Sequence, residues 1–185
     1  MKALLFTLLL PGVAFAQSFG APPVIERDGV TGQAIETDAC INEQVTKGAG
    51  GLVTRAARNC IGLSARVCDV DRATCFGLEQ AYWDWRITQN YQGLQAWVAD
   101  LPEAENSDTL RASVANPAAA TANVALECAL RIGQNGQSDT ADQDILECAM
   151  RETALIALEL EFTVRQACAG PVTGAFAAFC GKDAE

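Results

Sequence analysis

Residues 75–101 read CFGLEQAYWDWRITQNYQGLQAWVADL and carry the strongest helical signal in the chain. Apolar side chains recur along this stretch at spacings of four and three, at Trp83, Ile87, Tyr91, Leu94, Val98 and Leu101. Residues at these spacings share one face of an α-helix. The pattern therefore predicts a long helix with an apolar stripe against a core, and we interpret Trp83, Ile87 and Tyr91 as core residues.

Three residues of the same stretch lie off this stripe, and we take Trp85, Arg86 and Trp97 as candidate contacts for a partner. Tryptophan and arginine are enriched at protein interfaces. The alternative is that a second helix covers them. The predicted helix runs into an acidic segment, which adds four further candidate contacts: Asp100, Glu103, Glu105 and Asp108.

Two carboxylates of the stretch, Glu79 and Asp84, raise the question of acid hydrolysis of sugars. Residues five apart on a helix point about 140° away from each other, which does not suit a catalytic pair. We interpret Asp84 instead as a hydrogen-bond acceptor, buried or at the rim of the core, for an arginine or a helix end.

The rest of the chain also consists of helical runs separated by turn signals. These runs cover residues 38–46, 52–69, 72–101, 117–132 and 140–167, and no strand-like alternation of useful length occurs. We therefore predict an all-α fold, built as a small array of antiparallel helical hairpins that disulfides staple together.

The eight cysteines fall into four pairs, each placed symmetrically about a turn. In an antiparallel helical hairpin, residues equidistant from the turn lie side by side. This symmetry predicts four disulfides: Cys40–Cys60, Cys68–Cys75, Cys128–Cys148 and Cys168–Cys180. The competing pair Cys60–Cys68 is disfavoured, because eight residues of helix separate two Cα atoms by about 12 Å.

The first residues have the pattern of an export signal. Lys2 precedes an apolar stretch, and Ala14, Phe15 and Ala16 form a cleavage motif, so residues 1–16 predict a signal peptide. Residues 17–38 contain glycine and proline without apolar periodicity and predict a flexible arm. Residues 39–185 are then the disulfide-rich helical domain of a protein expected to be periplasmic or secreted, without a membrane anchor.

The composition of the chain argues against several classes of function. There is no histidine, which removes the commonest general base and most catalytic zinc sites. The cysteine spacings do not match zinc knuckles either. We predict neither enzyme activity nor a metal or other cofactor.

The chain is also strongly acidic. Without Lys2, 12 basic residues face 23 acidic ones, a net charge of −11 for the predicted mature chain. This charge repels nucleic acid and attracts a cationic protein. Simple maintenance of solubility explains the same charge.

Several of these residues together resemble the LprI-type lysozyme-inhibitor N-terminal domain family. The resemblance covers roughly residues 60–160. It rests on Cys68, Cys75, Glu79, Trp83, Asp84, Ile87, Tyr91, Leu94, Cys148, Thr153, Ala154, Ala157 and Leu158. It makes Trp83, Asp84, Ile87, Tyr91 and Thr153 the family's structural motif in this chain, and it implies a binding protein that blocks a cationic lysozyme.

The chain departs from the family pattern at three positions and is a divergent member. Thr88 stands where the family usually has asparagine. Ala120 and Val124 stand where the family has tryptophan and arginine before Cys128. If those two residues bind the partner in the family, this chain lacks that contact, and a periplasmic interaction or envelope-structural module with an unknown partner is the alternative function.

Overall fold

The computed structural model describes residues 21–182 except residues 28, 48–50, 102–106 and 135–138. The described part begins with a β-hairpin of strands β1 (Ile25–Arg27) and β2 (Val30–Gly32). The helices that follow are α1 (Ile35–Thr46), α2 (Leu52–Asn59), α3 (Leu63–Val67), α4 (Arg72–Ala99), α5 (Ser107–Val114), α6 (Val124–Gly133), α7 (Ala141–Ala169) and α8 (Gly174–Phe179). A short 3₁₀ helix, Pro117–Ala120, precedes α6. The predicted all-α class is confirmed.

Helices α4 and α7 form the centre of the molecule and pack against each other along their length. Trp83 of α4 is fully buried in the same apolar cluster as Ala154 and Ala157 of α7. Small side chains at these positions let two long helices approach closely around a large ring. Truncating a buried tryptophan typically costs about 3–5 kcal/mol, so this contact is a major source of stability.

The buried face of α4 is wider than the predicted stripe. Trp83, Ile87 and Val98 are buried as expected, whereas Tyr91 is only half-buried. Four residues beside the stripe are buried as well: Tyr82, Arg86, Asn90 and Gly93. The extra width arises because α4 is covered from several sides, by α3, α7 and α8 among others.

Gly93 shows how close one of these neighbours comes. A Cβ atom at this position would lie 2.4 Å from a ring carbon of Phe179 in α8. Only glycine leaves room for that ring, so Gly93 is a packing requirement of the α4–α8 contact.

The predicted helix over residues 52–69 is interrupted. Gly62 adopts a left-handed conformation with φ of 81°, which ends the path of α2 and starts α3 in a new direction. The carboxylate of Glu79 in α4 accepts hydrogen bonds from the backbone N–H groups of Gly62 (2.6 Å) and Ala65 (2.8 Å). An acceptor at the first turn of a helix satisfies N–H groups that have no partner within it. The break is therefore held by a residue from another helix.

The predicted flexible arm differs from the structure where the two overlap. Strands β1 and β2 pair as a β-hairpin, and Gly29, just before β2, has a φ of 78°. Ile25 packs against the main apolar cluster, and α1 begins at Ile35, ahead of the predicted domain start at residue 39. Strands of three residues are too short to show an alternating pattern, which explains why the sequence reads as an arm. The predicted signal peptide lies outside the described residues.

All four predicted disulfides are confirmed. Their Cα–Cα distances lie between 5.5 and 5.8 Å, and no cysteine is free. Each bond ties neighbours in sequence: α1 to the end of α2, the segment before α4 to its first turn, α6 to α7, and α7 to α8. In the described part of the chain, no helix is both long and apolar enough to span a bilayer.

Candidate functional site

Arg86, a predicted partner contact, lies inside the protein. Its side chain is 1% exposed and forms ion pairs with Glu161 of α7 (2.5 Å) and Asp38 of α1 (2.9 Å). A partner cannot reach a guanidinium in this position, so the predicted role of Arg86 is wrong. Arg86 is buried because α1 and α7 bring carboxylates to its face of α4. The spacing of apolar residues along α4 does not reveal that this face is covered.

The ion pairs belong to a larger buried polar network. Tyr82 donates its hydroxyl hydrogen to Asp38 (2.8 Å) and accepts a hydrogen bond from Arg86 (2.7 Å). The second oxygen of Glu161 accepts from two nitrogens of Arg165. Two cations thus face two anions, and the shared hydrogen bonds offset the cost of removing these charges from water.

The charges of this network shift the pKa of its central carboxylate. Burial by itself raises the pKa of Glu161, but the positive charges of Arg86 and Arg165 outweigh burial and lower it below its usual range. Glu161 is therefore ionised at neutral pH. A balanced set of charges, with Arg86 and Glu161 fully buried and Asp38 and Arg165 partly buried, connects α1, α4 and α7 and acts as a structural element.

Glu79 is a second buried carboxylate with a structural role. Burial raises its pKa, while hydrogen bonds from Ala65, Gly62 and Trp83 oppose the rise. Asp84, in contrast, is exposed on α4, although partial burial raises the pKa of its carboxyl. Among the described residues, neither an arginine nor a helix end is seen to donate a hydrogen bond to this carboxyl, so the expected acceptor role is not found. The two carboxylates are directed to different surroundings, and the structure does not bring them together as a pair.

The other motif residues lie in the core or at its edge. Trp83 and Ile87 belong to the main apolar cluster, and Tyr91 packs at its edge. Thr153 is fully buried on α7, and its hydroxyl oxygen has no hydrogen-bond partner among the described residues. These positions determine packing between the two long helices.

The two candidate tryptophans have different surroundings. Trp85 is half-buried, packs against the main cluster, and has its ring centre 5.8 Å from that of Tyr82. Trp97 is 36% exposed near the end of α4. Of the two, Trp97 offers the larger free surface to a partner.

The acidic candidates fall into three groups. The carboxylate of Asp100 accepts a hydrogen bond from the backbone N–H of Phe176 (2.8 Å) and thereby caps α8. Asp108 has a side chain that is 96% exposed and pairs with Arg111 on the same helix. Glu103 and Glu105 lie outside the described residues. Of the two described candidates, Asp108 is thus the acid that a partner can reach more easily.

Trp97 on α4 and Asp108 and Leu110 on α5 are exposed on two helices that pack on each other, and we call the exposed faces that carry these three residues the α4–α5 surface. Helix α5 packs on α4, and Gln95 donates a hydrogen bond to the carbonyl of Val114 (2.8 Å), which holds the two helices together. Leu110 is 37% exposed. The surface combines two exposed apolar side chains with an exposed carboxylate that pairs with Arg111.

Two clefts flank the Cys68–Cys75 disulfide at the other end of α4. One, of about 240 Å³, lies beside the β-hairpin and is lined by Val30, Gln33, Ser64, Val67 and Leu78, among others. The other, of about 430 Å³, contains three arginines: Arg66, Arg72 and Arg151. No local sequence pattern connects these three arginines, because they come from three separate helices.

Within the described residues, no cluster of three or more histidine, cysteine, aspartate or glutamate side chains is arranged to hold a metal ion. Comparisons of the chain with protein-family models, with curated proteins and with solved structures each found no match.

Proposed function

We propose that this protein is an exported binding protein that recognises a cationic partner through the α4–α5 surface. The observation that carries the proposal is the exposure of Trp97 on α4 and of Leu110 and Asp108 on the neighbouring helix α5, on a scaffold with four disulfides. Disulfides are typical of proteins outside the reducing cytoplasm, in the periplasm or the medium. Export and its destination are part of the proposal.

The composition of this surface supports binding of a protein. Exposed tryptophan is a frequent anchor at interfaces, where it fills a pocket of the partner. The chain carries a net charge of −10, which attracts a cationic protein from a distance. A scaffold that is already rigid loses little conformational freedom when it binds.

Lysozyme is the specific partner that we propose, and the choice rests on the family resemblance of the sequence. A lysozyme is cationic and has an open sugar-binding cleft. In this proposal, Trp97 and its neighbours enter or cover that cleft and exclude the substrate. Inhibition, rather than turnover, is then the activity of the protein.

A second surface supports the alternative, an interaction or envelope-structural module with a different partner. On the outer side of α6, Leu126 and Leu130 are 60% and 58% exposed, one helical turn apart. This helix follows Ala120 and includes Val124, where the family has tryptophan and arginine. A partner that binds α6 would leave the α4–α5 surface free.

The test is a titration of a cationic lysozyme with the oxidised protein at about 0.15 M salt, where the Debye length is about 8 Å. We expect stoichiometric loss of cell-wall lysis. Trp97→Ala should weaken inhibition by at least about tenfold, as an anchor residue does. Asp108→Lys should weaken it through the loss of a favourable charge.

Matched control variants separate the two surfaces. Leu126→Ala removes from α6 an apolar side chain that is even more exposed than Trp97, and Glu159→Lys reverses an exposed charge on α7; both should inhibit like the parent. Loss of inhibition in Leu126→Ala, with Trp97→Ala unaffected, would move the interface to α6. No inhibition by the parent protein would reject lysozyme as the target.

A further inference from the structure

The cleft of about 430 Å³ beside the Cys68–Cys75 disulfide is positively charged in an otherwise acidic protein. Arg66 comes from α3, Arg72 from the start of α4, and Arg151 from α7. Glu147 is the acidic residue in its lining. We call this group of four side chains the arginine cleft, and at neutral pH it has a net charge of +2.

Each guanidinium of the arginine cleft is held in place by contacts that use only some of its N–H donors. Arg72 pairs with Glu147 and lies over the ring of Phe76, 5.1 Å from its centre. Arg151 donates its Nε hydrogen to Glu147 (3.1 Å). Arg66 donates to the backbone carbonyl of Ile61 (3.3 Å). These contacts orient the three groups without occupying all of their donors.

Within the described part of the chain, no other partner is seen for the remaining N–H groups of Arg66, Arg72 and Arg151. An arginine has five N–H donors, and the fork of the guanidinium matches the oxygens of phosphate and carboxylate. Three such forks on one cleft, already held by their own contacts, need little reorganisation to receive an anion.

We infer that the arginine cleft binds the phosphoryl group of a small phosphate monoester. Its net charge of +2 balances a phosphate monoester, which carries about −1.5 to −2 at neutral pH, better than a single carboxylate. The volume is within the range of sites for small organic ligands. Val70, which is exposed in the lining of the cleft, offers an apolar contact beside the arginines, which suits an apolar group on the ester.

This site is independent of the proposed lysozyme interface. Arg72 opens α4 and Trp97 lies 25 residues further along the same helix, a distance of about 37 Å at the usual helical rise. The two proposals can therefore fail separately.

The experiment is calorimetric titration of the oxidised full chain at constant ionic strength with phenyl phosphate, inorganic phosphate and benzoate. We expect saturable binding in the order phenyl phosphate, inorganic phosphate, benzoate, from tightest to weakest. The Nε–H signals of Arg72 and Arg151 in NMR spectra should shift during the phenyl phosphate titration. Tighter binding of benzoate would overturn the assignment to phosphate, and absence of saturable binding would overturn the site.

Two variants and a matched control locate the binding. Arg72→Gln and Arg151→Gln should each weaken phenyl phosphate binding by about tenfold or more, since each removes a charge-assisted hydrogen-bonding group. Arg131→Gln removes an arginine that pairs with Glu152 of α7 outside the cleft, and it should bind like the parent. Equal weakening by all three variants would indicate diffuse charge attraction and reject the site. Circular dichroism and disulfide mapping check that each variant is folded.

Discussion

Arg86 connects three helices through one buried guanidinium. Its partners Asp38 and Glu161 lie 48 and 75 residues away in the sequence. Tyr82 completes the arrangement with a hydroxyl that both accepts from Arg86 and donates to Asp38. A charged side chain is thus among the most deeply buried of α4, because carboxylates from two other helices match its charge.

Removal of this guanidinium should strongly destabilise the protein. In Arg86→Met, Glu161 keeps only Arg165 and Asp38 loses its buried cation, so we expect the free energy of unfolding to fall by about 3–5 kcal/mol. Urea denaturation of the oxidised protein measures the change.

The matched control for this substitution is Arg131→Met, which breaks an exposed ion pair with Glu152. A surface pair contributes about 0–1 kcal/mol, so this variant should unfold near the parent. If both variants unfold at the same denaturant concentration, the buried network does not stabilise the fold.

At the scale of whole elements, α6 has most of its described contacts with one neighbour. It packs mainly on α7, through Val124, Cys128 and Ala149, and its other side is exposed. The Cys128–Cys148 disulfide crosses this small contact. Helices with few apolar contacts open locally at low free-energy cost, so the disulfide should hold α6 in place.

The double variant Cys128→Ala, Cys148→Ala should therefore release α6 alone. We expect backbone amides of α6 to exchange with solvent much faster, while amides at Trp83 and Ile87 in α4 keep their protection. Hydrogen–deuterium exchange followed by mass spectrometry resolves the two helices. Equal loss of protection in α4 and α6 would show that the disulfide supports the whole core and not one element.

At the scale of the whole molecule, the net charge of −10 controls how fast a partner arrives. The association rate with a cationic lysozyme should fall as salt rises from about 0.01 M to about 1 M, over which the Debye length shrinks from about 30 to about 3 Å. The dissociation rate should change little, because it depends on contacts such as that of Trp97. Surface plasmon resonance separates the two rates. A dissociation rate that rises in proportion to salt would argue for binding by charge alone.

Local features of the chain were sufficient to predict the all-α class and all four disulfides. Helical periodicity needs only neighbouring residues, and a cysteine pair placed symmetrically about a turn needs only a short hairpin. The 7-residue separation of Cys68 and Cys75 and the 20-residue separation of Cys128 and Cys148 are short enough for this reasoning. The β-hairpin was not predicted, because strands of three residues are too short to show an alternating pattern of apolar and polar residues.

The surroundings of the polar side chains depended on contacts between distant parts of the chain. Arg86 is buried because α1 and α7 cover it with carboxylates, and Trp97 keeps an exposed face near the end of α4. The arginine cleft joins Arg66 and Arg72 to Arg151, which follows them by about 80 residues. The periodicity of a sequence indicates which side of a helix is apolar. The charge that faces a given side chain depends on which other helix packs against it. Only the tertiary structure decides which helix that is.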